Sequence, residues 1–149
     1  DFLAAEHEPL SRTHLRSLTE MDWGVYEGEA PSPERDASVE ALKSAWRDGA
    51  YDRGPEGGES IREVQGRARQ ALRHILAREA GGTALVVTHG RYLRVLLATL
   101  LDAYGLEHMP DFDHSNTCVN HVVSRGGRAR AERLNCTAHL SGDRVSVSA

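Results

Sequence analysis

Cysteine is scarce in this sequence: Cys118 and Cys136 are the only two in 149 residues, far apart, without C-x-x-C spacing or histidines at finger-like intervals. That argues against a zinc finger or a disulfide framework and leaves reduced thiols, as expected of a cytoplasmic protein. Long hydrophobic runs are missing too. The longest, around residues 95–101, is far short of the ~20 residues that span a bilayer, and nothing at the N-terminus reads as a signal peptide. Charge of one sign is also lacking: 18 basic residues against 22 acidic leave a net charge of −4. No global attraction to nucleic acid or an anionic membrane follows from that balance. Lysine is nearly absent, with Lys43 alone among the bases. We read this as a bias of composition rather than as guanidinium chemistry.

The length fits a single domain over residues 1–149, large enough to bury a core. Residues 2–5 look like the end of a helix, and residues 15–18 like an extended connection. Residues 20–33, rich in glycine, proline and acids around Trp23, Val25 and Tyr26, read as a loop with an apolar anchor. Val39, Leu42 and Trp46 at helical spacing predict a helix over 36–46. After a second glycine-rich loop, Ser60-Ile61-Arg62-Glu63 matches the S-x-x-E capping box. Ile61, Val64, Ala68, Leu72, Ile75 and Leu76 then mark one amphipathic helix, ended by Gly81-Gly82.

Residues 83–88, Thr-Ala-Leu-Val-Val-Thr, are short, continuous and β-branched, as in a parallel strand covered on both faces. His89-Gly90 closes that run, and an apolar helix is expected over 91–104. Strands are further expected over 117–123, 134–140 and 144–147. There are no repeats, and only residues 125–133 approach low complexity.

His89 is the strongest single candidate for chemistry, because ligands of open α/β sheets bind outside the carboxyl ends of the strands. Gly90 removes a Cβ from the approach of a ligand or backbone. Arg91 and Arg94 fall near the start of the next helix, whose amides favour anions. A capping or structural histidine fits the position equally well. Glu20 lies among aliphatic and aromatic residues, an environment that suits a proton donor; a solvated or arginine-paired glutamate fits as well. Gly57-Gly58-Glu59-Ser60 offers backbone amides for a phosphate, or simply a loop and a helix cap. Ser115-Asn116-Thr117 offers hydroxyls and an amide, or simply a turn.

Taken in order, L-x-E-x-x-x-G-x-x-E-G from Leu18, G-G-E-S from Gly57, V-V-T-H-G from Val86 and S-N-T from Ser115 resemble the histidine phosphatase (phosphoglycerate-mutase-like) superfamily. Within it the pattern is similar to the phosphatase branch that includes the fructose-2,6-bisphosphatase domain. The resemblance covers roughly residues 15–123. It implies an α/β three-layer sandwich, with a mostly parallel central sheet and helices on both faces. It also implies Glu20 as general acid/base, His89 as second histidine of the phosphate pocket and Gly90 as a pocket backbone position. Arg94, Tyr51 and Asn116 become substrate or phosphate contacts.

The family's Arg-His-Gly, with its phosphorylated histidine, is absent: His7 and His14 stand in no strand-to-glycine context, and the first residue is Asp1. The resemblance therefore implies an incomplete domain, without its first strand, whose nucleophile lies in an N-terminal segment outside these residues. It implies hydrolysis of a small phosphomonoester through phosphohistidine, with no metal or other cofactor and no nucleic-acid or membrane partner. The alternatives are a phosphoglycerate-mutase-type phosphotransferase and a non-catalytic phosphate-binding or scaffold protein.

Overall fold

The computed structural model describes residues 11–141. Helices α1 (Pro33–Arg47), α2 (Ile61–Arg78) and α3 (Gly90–Leu100) are followed by an antiparallel pair, β1 (Val119–Arg125) and β2 (Arg128–Cys136). Short 3-10 turns lie at Arg16–Leu18, Gly24–Tyr26, Leu106–Asp111 and Ala138–Leu140. None of the helices among the described residues is long and apolar enough to cross a membrane.

Local chemistry accounts for the helix boundaries. α1 starts ahead of its first apolar residue because Ser32 accepts the Arg35 N–H at 3.2 Å and Pro33 fills the first turn, where its missing N–H costs nothing. α2 starts with the expected capping box: Ser60 Oγ accepts the Glu63 N–H at 3.3 Å, and Glu63 returns an acceptor to the Ser60 N–H at 2.7 Å. α3 stops at Leu100 rather than at 104. Beyond it, Asp102 accepts the Ala129 N–H at 2.6 Å and donates its own N–H to the Ala129 carbonyl at 3.2 Å, which turns the chain onto β2.

The core forms where the apolar faces of α2 (Ile61, Val64, Ala68) and α3 (Tyr92, Val95, Leu96) meet, all buried. Met21, Leu42 and Trp46 close one side, and Leu106, Met109 and Phe112 another. Each large aliphatic or aromatic side chain buried there contributes about 1.5–3 kcal/mol.

The sheet departs from expectation. No parallel strand pair and no sandwich of helices around a central sheet occur among the described residues; the only ladder is β1–β2. Residues 83–88 join no ladder among the described residues, and 83–87 lie exposed, with Leu85 and Val87 each 71% accessible. A buried strand needs hydrogen-bonded neighbours on its edges, and no described segment supplies them. Its end is still anchored, because Thr88 Oγ1 donates to the Leu18 carbonyl at 2.7 Å.

Residues 125–133 form a hairpin tip and most of β2, not a featureless basic stretch. Gly126 and Gly127 have φ of 59° and 77°, as a two-residue type I′ turn requires, and Arg125 pairs with Arg128. The arginines there alternate with Ala129, which is buried, and the half-buried Ala131. β1 begins two residues later than expected, β2 starts before 134, and residues 138–140 form a 3-10 turn. Residues 15–18 likewise end in a 3-10 turn rather than an extended run. The helix end expected at 2–5 and the strand expected at 144–147 lie outside the described residues.

Candidate active site

Two glycine-containing loops build the floor. Loop 20–28 and loop 54–60 meet backbone to backbone: Val25 donates its N–H to the Glu56 carbonyl and Glu59 to the Asp22 carbonyl, both at 2.9 Å. The approach is possible only without side chains. Gly24 has φ +52°, and a Cβ there would collide with the Glu56 carbonyl, while one on Gly58 would meet the Asp22 carbonyl. Gly58 thus serves the packing of the loops, and Ser60 the cap of α2.

Arg67, on α2, holds the strand of chain that carries Glu20. Its Nη1 donates to the carbonyls of Ser17 (3.2 Å) and Thr19 (2.7 Å), and its Nη2 to the carbonyl of Glu20 (3.0 Å). The other side of the guanidinium forks onto Glu59, Nε and Nη2 lying 2.7 and 2.8 Å from the two carboxylate oxygens. Glu59 in turn accepts the Asp22 N–H at 2.9 Å. Burial opposes ionisation of Glu59, but the Arg67 hydrogen bond, the Asp22 amide and the Arg67 charge outweigh it and hold the carboxyl below its ordinary range. Arg67 also lies over the Tyr92 ring, 4.6 Å from its centroid; burial, the larger effect, raises the pKa of that phenol to about 12.

Glu20 is half-buried, and its carboxylate closes onto the N-terminus of α3. Oε1 accepts the N–H of Tyr92 at 2.8 Å and of Met21 at 2.8 Å, and Oε2 accepts the N–H of Arg91 at 3.1 Å. Its immediate partners are polar backbone groups rather than the apolar bulk suggested by the sequence. The helix amides available to an anion are thereby partly taken by the protein's own carboxylate.

That arrangement decides the role of His89 as a cap. His89 is the N-cap residue of α3, yet its side chain makes no capping hydrogen bond. A cap normally serves the second or third helical amide, and here Glu20 serves both. The imidazole is left exposed at the helix start, so a capping function is excluded and a role toward a ligand is open to it.

Gly90 follows, and a Cβ there would run into the imidazole of His114. His114 Nδ1 accepts the Arg94 Nε–H at 3.2 Å, so the ring nitrogen facing Arg94 carries no proton. Burial, followed by the charges of Arg94 and Arg91, lowers the pKa of His114 and favours the neutral ring. Arg94 also donates to the Pro110 carbonyl at 3.2 Å. His114 was not singled out in the sequence. The residue beside it, Ser115, was, but the chain fold that brings position 114 against position 90 leaves no local signal.

Of the remaining candidates, Tyr51 lies half-buried with Arg62 over its ring at 5.6 Å and its carbonyl accepting the Arg62 N–H at 3.0 Å. No hydrogen bond among the described residues joins it to Glu20, His89 or Arg94. Burial first and Glu107 second raise its pKa. Asn116 is exposed in the turn between His114 and β1, followed by Thr117 at φ 61°. The structure therefore brings Glu20, His89, Gly90 and Arg94 to one end of α3 and adds His114. Among the described residues no group of three or more His, Cys, Asp or Glu side chains forms a metal-binding cluster.

Beside this cluster a cleft of about 290 Å³ opens between α1 and α3, lined by Lys43, Trp46, Arg47, Arg91 and Arg94 among others. Arg91 lies over the rings of Trp23 and Trp46, 5.7 and 5.9 Å from their centroids. Burial, then Arg94, lowers its pKa. Neither Glu20 nor His89 lines this cleft directly.

The chain is similar to known proteins in sequence and in fold. A 2,3-bisphosphoglycerate-dependent phosphoglycerate mutase of Mesorhizobium japonicum is 34% identical over 94 residues, 62% of this chain and 45% of the relative. Among solved structures, YhfR of Bacillus stearothermophilus is 30% identical with a TM-score of 0.65, over 78% of this chain and 57% of its own. A mycobacterial glucosyl-3-phosphoglycerate phosphatase, solved with inorganic phosphate, is 25% identical with a TM-score of 0.66, over 82% and 63%. The chain spans less than two thirds of the length of each. The family model for the histidine phosphatase superfamily, branch 1, matches residues 2–137, and the chain belongs to that superfamily.

Proposed function

We propose that this chain carries the acid/base and charge-stabilising part of a phosphatase that hydrolyses a small phosphomonoester, such as a sugar phosphate, through a phosphohistidine. The carrying observation is the bond between the Glu20 carboxylate and the Tyr92 amide, 2.8 Å, which sets the carboxylate at the helix start that presents His89. The neighbouring phosphatase solved with inorganic phosphate supports the reaction class.

In this reading a nucleophilic histidine that these 149 residues do not supply attacks phosphorus. The P–N bond forms, the bond to the leaving oxygen breaks, and protonated Glu20 gives that oxygen its proton. The resulting carboxylate takes a proton from water, whose oxygen attacks phosphorus and releases the histidine. His89 and Arg94 stabilise charge on the non-bridging oxygens. Tyr51 and Asn116 are proposed as further contacts to the substrate, and Gly90 as the pocket's backbone position. These steps use no cofactor, and we place the reaction in the cytoplasm without a nucleic-acid or membrane partner.

A phosphotransferase of the mutase type is the second reading, favoured by the 34% identical relative. The product of the complete reading frame, given a phosphomonoester with EDTA and without added metal, separates the two. Released inorganic phosphate with an acid-labile, base-stable phosphoprotein supports hydrolysis. Phosphate moved to another hydroxyl without release supports the mutase. Binding with neither reaction leaves a phosphate-binding scaffold.

A further inference from the structure

The C-terminal end of α3 borders a larger cleft that the chemistry above does not use. It opens between the turn after Leu100 and the β1–β2 hairpin, with a volume of about 640 Å³, well within the roughly 300–1,000 Å³ of small-molecule sites. The two walls are tied to each other by the pair of bonds between Asp102 and Ala129. Leu101, Tyr104, Val123 and Ala131 supply apolar lining. The Tyr104 ring is 39% exposed and packs edge-on against Phe112, with centroids 5.1 Å apart. Because α3 has 11 residues, this end of the helix lies roughly 16 Å along its axis from the start that presents His89.

Positive charge gathers on the hairpin side, where Arg125, Arg128 and Arg130 line the cleft. The turn at Gly126-Gly127 sets Arg125 and Arg128 directly opposite each other on the last rung of the ladder, and like charges so placed repel. Arg130 has Glu132 at 2.6 Å, but the side chains of Arg125 and Arg128 make no hydrogen bond or ion pair among the described residues. Asp102 lines the same cleft, yet its Oδ2 is taken by the Ala129 N–H at 2.6 Å. An anion between the two guanidinium groups offsets their repulsion and can accept hydrogen bonds from both. The other end of the cleft is unsuited to one, since the last carbonyls of a helix carry negative partial charge. An entering molecule is thereby oriented, its apolar body toward α3 and its anionic group toward the hairpin.

We propose that this cleft is a binding site, separate from Glu20 and His89, for a small amphiphilic anion: an apolar chain or ring that ends in a carboxylate-like group. The apolar body lies along Leu101, Tyr104, Val123 and Ala131, and the anionic group sits between Arg125 and Arg128. Neither arginine takes part in the reaction proposed above, so the site does not rest on the phosphatase reading.

The test is calorimetric titration of the product of the complete reading frame with octanoate, with octanol, which has the chain without the charge, and with acetate, which has the charge without the chain. Octanoate should bind about tenfold or more tightly than either. In the Arg125→Gln/Arg128→Gln variant its advantage over octanol should shrink to within about twofold. Both side chains are exposed, and each single variant should remove part of the advantage, which keeps the test available where the double variant does not fold. Octanoate binding no more tightly than octanol or acetate, or an advantage that survives the double variant, overturns the site. So does cosedimentation with phosphatidylglycerol vesicles in the absence of octanoate binding, which would make the hairpin a membrane-facing surface instead.

Discussion

The carboxylate of Glu20 accepts the backbone N–H of Tyr92 at 2.8 Å across 72 positions of sequence. Through that bond the loop that carries the candidate acid/base is registered on the helix that carries His89, Arg91 and Arg94. Arg67 fixes the same loop from behind through the carbonyls of Ser17, Thr19 and Glu20.

Arg67→Lys should therefore weaken the fold, since an ammonium cannot reproduce the fork onto Glu59 and reach three carbonyls. We expect a loss of about 1–3 kcal/mol by chemical denaturation, the cost of unmade hydrogen bonds to charged partners. A coupling energy near zero in a double-mutant cycle with Glu59→Gln would remove the pair from the account. The pH dependence has a definite sign. The folded-state pKa of Glu59 is depressed, so its contribution is present above the ordinary value of 4.5 and is lost as pH falls through the lower folded value. Denaturation curves of Glu59→Gln should accordingly be flatter than wild type on the acid side of that range.

Gly24 and Gly28 both have positive φ, but only Gly24 has a carbonyl where a Cβ would go. Gly28→Ala should cost about 1 kcal/mol, the price of a left-handed alanine. Gly24→Ala should cost at least about 3 kcal/mol, because it also separates the two loops. Thermal melts showing the two variants equally stable would mean that the loop contact is not a source of stability.

A polypeptide of residues 1–149 made on its own should self-associate through residues 83–88, which expose Leu85 and Val87 together with backbone that is unpaired among the described residues. Val87→Lys should shift light-scattering profiles toward monomer. A monomeric wild-type polypeptide with a cooperative melt would contradict this.

Much of this was legible in the sequence where the signal is local. Ser60 and Glu63 announced their capping box, and Leu42, Trp46 and the α2 positions their helices, because capping and the 3.6-residue period act over a few residues. His89-Gly90 was expected at the end of a strand just ahead of a helix; the helix, which begins at Gly90, is there for the same reason. The sheet was less legible: a β-branched run such as 83–88 states a preference for strand, but pairing depends on partners elsewhere in the chain. β2 was hidden because its alternation is carried by Ala129 and Ala131, too small to stand out against the arginines. Arg67 and His114 gave no warning at all, and Glu59 none beyond its place in G-G-E-S, since their partners lie on other elements.

His89→Ala separates a chemical role from a structural one. The side chain is exposed and makes no cap bond, so stability should change by less than about 0.5 kcal/mol. In the product of the complete reading frame kcat should still fall by about 10²- to 10³-fold, as for loss of one preorganised charge stabiliser. Unchanged turnover would exclude His89 from the reaction.

The most direct measurement is single-turnover phosphate release by the Glu20→Gln variant of the product of the complete reading frame, without metal and with EDTA. The amide keeps the size of the carboxylate and an oxygen for the Tyr92 and Met21 N–H groups, gives up the acceptor that faces the Arg91 N–H, and cannot donate and recover a proton. The rate should drop by about 10²- to 10⁴-fold, the usual worth of general acid/base catalysis, with substrate binding changed far less. Release at the wild-type rate would show that Glu20 only braces α3 and is not the acid/base of the reaction.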